Sequence, residues 1–82
     1  MNLIELTEFL VKLLVTNKDN VSVKEFDTDE ENTILIQVLV DSEDMGKVIG
    51  KGGKLAHSIR TLVQASSCLK DNKKVKINID SF

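Results

Sequence analysis

Leucines recur at three- and four-residue intervals at the start of the chain and predict a helix over residues 2–16. The positions on this face are Leu3, Leu6, Leu10, Leu13 and Leu14. Ile4, Val11 and Val15 widen the apolar surface on one flank, and Phe9 widens it on another. A helix this widely apolar is usually covered on more than one side. Two alternatives follow: the second cover is another copy of the chain, or the helix lies deep in its own domain with one flank partly exposed.

Two segments alternate between apolar and polar residues and predict strands. In "VSVKEF", Val21 and Val23 alternate before Phe26 falls out of phase, which predicts a strand that ends or bulges at Phe26. A polar turn, "DTDEEN", follows, and the next segment, "TILIQVLV", is apolar on both faces, as is typical of a central strand. Helices can cover only one face of a small sheet, so we expect Leu35 and Leu39 on the open face.

The second half of the chain predicts two helices and a last strand. The segment "DSEDMGKVIG" predicts a short helix with Asp41 or Ser42 as its N-cap and Gly50 at its end. Residues 54–69 form an amphipathic helix whose expected buried positions are Leu55, Ile59, Leu62, Val63, Ser66 and Leu69. Alternation of Val75, Ile77 and Ile79 predicts a strand buried on one side. The fold class is therefore α+β, in the order α-β-β-α-α-β.

Length and composition exclude several classes of protein. A chain of 82 residues supports one core, and we expect a single domain over residues 1–82. No apolar run approaches the roughly 20 residues that cross a bilayer, and the start lacks the basic region of a signal peptide, so we expect a cytoplasmic protein without a membrane partner. The single cysteine, Cys68, is expected to be a small buried hydrophobe in a reducing compartment. No catalytic constellation or cofactor motif is evident, which argues against an enzyme.

Charge is distributed unevenly along the chain. The net charge is −2, but residues 1–44 hold eleven acids and three lysines, whereas residues 45–82 hold seven lysines, one arginine and two acids. The local balances are thus −8 and +6. A basic surface in the second half is compatible with an anionic partner despite the acidic total.

The segment "VIGKGGK", residues 48–54, joins the two later helices through three glycines. One glycine would suffice for the turn, so three predict close approach of a ligand to the backbone. The next helix begins at once, and its free N–H groups, together with Lys47, Lys51 and Lys54, predict an anion site that suits a phosphate. The spacing matches neither a Walker loop nor a dinucleotide fingerprint. It matches a GxxG loop, which clamps about four single-stranded nucleotides.

With this loop, the segment "DMGKVIGKGGKLAHSIRTLV" resembles the core of a KH domain, and the element order is similar to the type II arrangement. The whole chain resembles small stand-alone bacterial KH-domain RNA-binding proteins of the KhpA family. This resemblance implies a type II KH domain with a three-stranded mixed sheet covered by helices on one face. It also implies single-stranded RNA as the ligand, a role as post-transcriptional regulator or RNA chaperone, a homodimer, and a larger KH-domain partner of the KhpB (Jag) type.

The resemblance further assigns roles to individual residues. It places Gly50, Lys51, Gly52 and Gly53 against the sugar–phosphate backbone. Val48 and Ile49 would form an apolar wall for the bases, and Lys47 and Lys54 would be outer phosphate contacts. Arg60 either forms a salt bridge within the protein or contacts RNA. Gly52 departs from the family pattern, where a second basic residue is common.

Two alternatives to these roles stay open at the level of sequence. The loop is also compatible with a structural turn that binds nothing. The domain is also compatible with a protein–protein adaptor that uses Leu35, Leu39 or the first helix and has little RNA affinity. The absence of Tyr and Trp argues against RNA-binding folds that stack bases on aromatic side chains.

Overall fold

The computed structural model describes residues 2–82. Three helices and three strands follow one another in the predicted order: α1 (Leu3–Lys12), β1 (Ser22–Asp27), β2 (Thr33–Val40), α2 (Met45–Ile49), α3 (Lys54–Lys70) and β3 (Lys74–Ser81). Short 3-10 turns lie at Lys18–Asn20, Ser42–Asp44 and Lys51–Gly53. No helix within residues 2–82 has the length and hydrophobicity needed to cross a membrane.

The three strands form one mixed sheet in the order β1-β2-β3. Strand β2 pairs antiparallel with β1 and parallel with β3, which confirms it as the central strand. One face of β2, with Ile34, Ile36, Val38 and Val40, is buried under the helices. Leu35 and Leu39 are half-buried on the opposite face, as expected. The α+β class with a three-stranded mixed sheet covered on one face is confirmed.

Strand β1 runs through Phe26 without a bulge and ends one residue later, at Asp27, so the predicted bulge is wrong and the predicted end is one residue early. The pairing runs without interruption from Ser22 opposite Leu39 to Asp27 opposite Ile34, with Phe26 opposite Leu35. Phe26 therefore lies on the open face beside Leu35 and is 43% exposed. Side chains alternate between the two faces of an unbroken strand. The apolar pattern therefore moves from one face to the other at Phe26, and the strand itself is not interrupted.

Helix α1 is shorter than predicted and buries a different face. Its buried residues are Leu3, Thr7 and Val11, whereas Leu13 lies past its end and is 64% exposed. Thr7 can occupy the centre of this face because its hydroxyl donates to the carbonyl of Leu3 at 2.7 Å and is thus satisfied. Of the predicted leucine stripe, Leu3 is buried, whereas Leu6, Leu10 and Leu14 are only half-buried on the flank of the packed face.

Helix α3 is also rotated relative to the prediction. Its buried residues are Ala56, Ile59, Val63 and Ser67, while Leu55, Leu62 and Leu69 are exposed. Ser67 is buried because its hydroxyl donates to the carbonyl of Lys73 at 2.8 Å, across the turn into β3. Cys68 is exposed, so the prediction of a buried cysteine is wrong.

The hydrophobic core lies between the helices and the covered face of the sheet. It is built almost entirely from aliphatic side chains, contributed by all six elements or the segments beside them. The fully buried residues are Thr7, Val11, Ile36, Val38, Val40, Asp44, Val48, Val63 and Ser67. One carboxylate, that of Asp44, is among them, and it lies just before the helix that leads into the glycine loop.

Candidate functional site

The glycine loop, residues 50–53, joins α2 to α3 with three residues in the left-handed region. The φ angles are 75° at Gly50, 65° at Gly52 and 78° at Gly53. The loop conformation itself therefore requires all three glycines, since L side chains rarely adopt positive φ. This corrects the expectation that one glycine suffices for the turn and that the others exist only to admit a ligand.

The outer surface of the loop is nevertheless open. A Cβ atom on Gly52 or Gly53 would meet nothing within 4 Å. Gly50 differs, because a Cβ atom there would lie 2.8 Å from Cγ of Leu55. Gly50 thus fixes the end of α2, as predicted, and supports Leu55, while the backbone at Gly52 and Gly53 is accessible to a ligand.

Helix α3 begins directly behind this open backbone without a capping side chain. Its N-cap is Gly53, and no side chain accepts a hydrogen bond from its first turn. The N–H groups of a first helical turn carry partial positive charge, so this end of a 17-residue helix attracts anions. Lys51 and Lys54 are exposed beside it and form no ion pair with any residue between positions 2 and 82. The structure thus brings these positively charged groups together at the start of α3.

Two other residues predicted for the site take different positions. The ammonium of Lys47 contacts Asp44 at 3.5 Å and donates to the hydroxyl of Thr16, so it is drawn back toward the end of α1. The side chain of Val48 is fully buried in the core. Val48 therefore offers no surface to a base, and the prediction that it contacts the ligand is wrong. Ile49 is half-buried and retains some accessible surface.

A shallow groove of about 490 Å³ runs along α3 beside β3. Its lining residues are His57, Arg60, Thr61, Gln64, Ala65 and Val75. His57 lies in the first turn of α3, so the groove begins next to the glycine loop. The Nε atom of Arg60 donates to the carbonyl of Ile77 at 3.3 Å. Of the two alternatives for Arg60, an internal salt bridge is not formed with any described carboxylate; the side chain bonds to the backbone of β3 instead.

The groove is bounded by the free edge of β3. Lys74 donates its N–H to Asn32, and Phe82 donates its N–H to Val40, so the even-numbered residues of β3 pair inward with β2. The backbone groups of Val75, Ile77 and Ile79 consequently point outward.

Gln64 satisfies part of this edge. Its Oε1 accepts from the N–H of Val75 at 2.8 Å, and its Nε2 donates to the carbonyl of Lys73 at 3.0 Å. The sequence predicted no role for Gln64. No local signal marks this contact, because it joins residues 9 and 11 positions apart.

The sequence also did not identify Asp44 as the centre of a cluster of hydrogen bonds. It is fully buried, and its two carboxylate oxygens accept from the N–H groups of Thr16 at 3.1 Å and Asn17 at 3.0 Å. The hydrogen bond from Asn17 is the main reason why the pKa of Asp44 lies below its usual range, with Thr16 and Lys47 adding to the effect; burial acts in the opposite direction.

The predicted N-cap role of Asp41 or Ser42 is not observed. The side chain of Asp41 accepts from Nδ2 of Asn20 at 3.1 Å rather than from the helix that follows it.

The model of the KH domain of KhpA and KhpB matches residues 4–79 of this chain. The chain belongs to the KhpA/KhpB family of KH domains. Within the family, it is 45% identical over 75 residues to the RNA-binding protein KhpA of Clostridium perfringens, a match that covers 92% of this chain and 96% of the relative. It is 47% identical to the RNA-binding protein KhpA of Caldanaerobacter subterraneus, with the same coverage. The family is one of KH domains and not of enzymes, as the sequence predicted.

Solved structures support the fold independently. Aquifex aeolicus Era, crystallised with GDP and AlF4⁻, superposes with a TM-score of 0.70 at 19% identity; the match covers 98% of this chain and 30% of Era. Era in complex with MgGDPNP and nucleotides 1506–1542 of 16S ribosomal RNA superposes with a TM-score of 0.67, covering 96% of this chain and 29% of Era. This KhpA/KhpB-family chain thus has the type II KH fold, and the part of Era that it matches is less than a third of Era's length.

Proposed function

We propose that this protein binds single-stranded RNA, with the glycine loop and the start of α3 holding the phosphate backbone. The observation that supports this most directly is the uncapped N-terminus of α3 behind open backbone at Gly52 and Gly53. Lys51 and Lys54 supply the positive charge there. The relatives' name, RNA-binding protein KhpA, agrees with this chemistry.

The bases would lie along the groove between α3 and the free edge of β3. Ile49 provides apolar surface at the loop, and the outward-pointing backbone groups of Ile77 and Ile79 offer donors and acceptors to base edges. Arg60 already occupies the carbonyl of Ile77 and would exchange this bond for one with RNA. Such contacts use aliphatic and backbone groups, which suits a chain with three Phe and no Tyr or Trp.

The order of the strands separates charge only in part. Strand β1, from the acidic half of the chain, lies at one edge of the sheet and β3 lies at the other, but Glu30 of the loop between β1 and β2 pairs with Lys76 of β3 at 2.5 Å. The proposed RNA path therefore draws its positive charge from the glycine loop rather than from the strand. With Lys47 drawn back, Lys51 and Lys54 are the main phosphate contacts. The salt slope of binding should then be only about −1.4.

The test is a double change in the loop with a matched control. Lys51→Asp with Gly52→Asp reverses the loop charge, and the conformation at Gly52 is one that Asp tolerates. Lys24→Asp with Asn32→Asp produces the same change in net charge at residues outside the loop, with Asn32 also at positive φ. We expect the loop variant to lose RNA affinity by roughly tenfold or more in a fluorescence anisotropy titration. The control should stay within about threefold of wild type, since it removes no phosphate contact.

Unchanged RNA binding by a folded loop variant would refute this function. The adaptor alternative, with its contacts at Leu35, Leu39 or the first helix, would then be the better account of the fold.

We further propose that the protein acts as a homodimer. Five large side chains on α1 and α3, or directly after α1, are exposed: Phe9, Leu13, Leu55, Leu62 and Leu69, here called the helical apolar surface. The three leucines of α3 recur every seven residues and so lie on one stripe of the helix. Burying this surface against a second copy would remove exposed apolar area from water.

The cellular role belongs to the same proposal. A single KH domain over residues 1–82 with few phosphate contacts binds weakly alone, and a dimer presents two loops to one RNA. This suits a cytoplasmic post-transcriptional regulator or RNA chaperone whose contacts are transient. A larger KH-domain protein of the KhpB type is the proposed protein partner, because one family model describes both proteins.

A further inference from the structure

The segment that leads into the glycine loop is bonded through its side chains to the segment that follows α1. Asp44 lies at the centre of these bonds, with its buried carboxylate on the N–H groups of Thr16 and Asn17. Lys47, one turn into α2, contacts both Asp44 and the hydroxyl of Thr16. On the outside of this cluster, Nδ2 of Asn17 donates to Glu43. These contacts join parts of the chain that are 26 to 31 residues apart.

Helix α2 depends on such contacts for its position. It has five residues and buries only Val48. Helices this short do not form by themselves in water, so their position comes from tertiary contacts. Asp44 holds the start of α2, and the packing of Leu55 against Gly50 holds its end. The glycine loop follows α2 directly, so a shift of α2 moves the loop relative to the start of α3.

We propose that Asp44 is a positioning residue for RNA binding, an inference that rests on the proposed function of the loop. Its carboxylate holds α2 in the orientation that places the open backbone of Gly52 and Gly53 in front of the N-terminus of α3. Asp44 is fully buried and does not touch the ligand. Lys47 acts with it: its ammonium neutralises the buried carboxylate and links it to Thr16, instead of contacting phosphate.

The salt dependence of RNA binding separates positioning from direct contact. A residue that contacts phosphate changes the slope of log affinity against log salt by about 0.7 when it is neutralised, whereas a residue that positions the loop changes affinity at constant slope. We would measure the affinity of a fluorescein-labelled single-stranded RNA by anisotropy between low and moderate KCl, for wild type, Asp44→Asn, Lys47→Met and Lys51→Gln. Circular dichroism at the same temperature establishes that each variant is folded.

Asp44→Asn is nearly isosteric, but its amide group cannot accept from both backbone N–H groups through two oxygens. We expect it to weaken RNA binding three- to tenfold with the wild-type slope. Lys47→Met should also weaken binding at unchanged slope, and Lys51→Gln should weaken binding with a slope reduced by about 0.7. The amide resonances of Gly52 and Gly53 should shift in Asp44→Asn without RNA, because the loop itself has moved.

Ile36→Val is the control for stability alone. Ile36 is fully buried in the central strand, so its truncation destabilises the fold. Its aliphatic side chain forms no hydrogen bond to α2 or to the glycine loop. A merely structural role for Asp44 predicts that folded Asp44→Asn behaves like Ile36→Val, with wild-type RNA affinity and unshifted loop resonances. That result would overturn the proposal.

The remaining outcomes are equally distinct. Wild-type affinity and slope in Lys51→Gln would contradict the proposed function of the loop itself. A reduced slope in Lys47→Met would show that Lys47 contacts phosphate and would overturn its role beside Asp44. If Asp44→Asn does not fold, Lys47→Met decides alone: weaker binding at constant slope supports positioning, and unchanged affinity refutes it.

Discussion

At the scale of single residues, Gly50 and Gly52 share a positive φ but differ in their surroundings. A side chain at Gly50 would meet Leu55 at 2.8 Å, whereas a side chain at Gly52 would enter open space. We expect Gly50→Ala to lower the free energy of unfolding by about 2 to 4 kcal/mol, from backbone strain and overpacking together. Gly52→Ala should cost only about 1 kcal/mol, from backbone strain alone. Urea denaturation of both variants measures the difference, and equal losses would contradict the geometry.

Asp44 gives stability a dependence on acidic pH. Its pKa in the folded protein lies below the usual value of an aspartate side chain. The ionised form is thus favoured by folding, and its contribution is fully present above the unfolded pKa and disappears as the pH falls through the folded pKa. We expect Asp44→Asn to be less stable than wild type at pH 7, with a difference that narrows below about pH 4. Urea denaturation at a series of pH values tests this; a difference that stays constant down to pH 2 would contradict it.

At the scale of elements, truncation should cost much more stability on the buried side of α3 than on its exposed side. Val63 is fully buried, whereas Leu69, the larger side chain, is 88% exposed. We expect Val63→Ala to lower the free energy of unfolding by about 2 kcal/mol, through lost burial and the cavity left behind. Leu69→Ala should change it by less than about 0.5 kcal/mol. Denaturation at low protein concentration compares the two without contributions from self-association. A larger loss for Leu69→Ala would mean that the leucine stripe predicted from the sequence is the packed face after all.

At the scale of the whole molecule, Leu62 tests the helical apolar surface. It is 54% exposed, so Leu62→Lys should leave the fold of a single chain intact. We expect this variant to stay monomeric in light scattering at high micromolar concentration, where we expect wild type to dimerise. A lysine cannot be buried in an apolar interface without a partner. Its affinity for a long RNA should fall, since only a dimer presents two linked loops, while its affinity for a short RNA should not.

The matched control for self-association is Phe82→Lys, which changes a side chain of similar exposure that lies outside the helical apolar surface. This control should remain dimeric. A monomeric wild type, or a dimeric Leu62→Lys, would refute the proposed interface.

Pattern along the chain was enough to predict the order of the elements, the central position of β2 and the glycine loop between two helices. These features are local: "TILIQVLV" is apolar on both faces, and the spacing of Gly50, Gly52 and Gly53 lies within four residues. Local pattern also sufficed to recognise the family, because the motif and the element order occur together. Lys51 and Lys54 were predictable for the same reason, since neighbours in sequence at a helix start are neighbours in space.

Tertiary contacts, by contrast, determine which side of each helix is buried and which charged side chains are paired. Hydrophobic spacing indicates that a helix has an apolar stripe, but the neighbouring elements determine which side of the helix packs closest against them. Thr7 and Ser67 lie on the closest-packed sides of α1 and α3, because they are small and their hydroxyls donate to nearby carbonyls. The position of Asp44 depends on the backbone N–H groups of Thr16 and Asn17, 28 and 27 residues earlier, and that of Lys47 depends on the hydroxyl of Thr16. A contact of this range leaves no periodic trace in the sequence, because it forms only when the sheet has brought the end of α1 beside the start of α2.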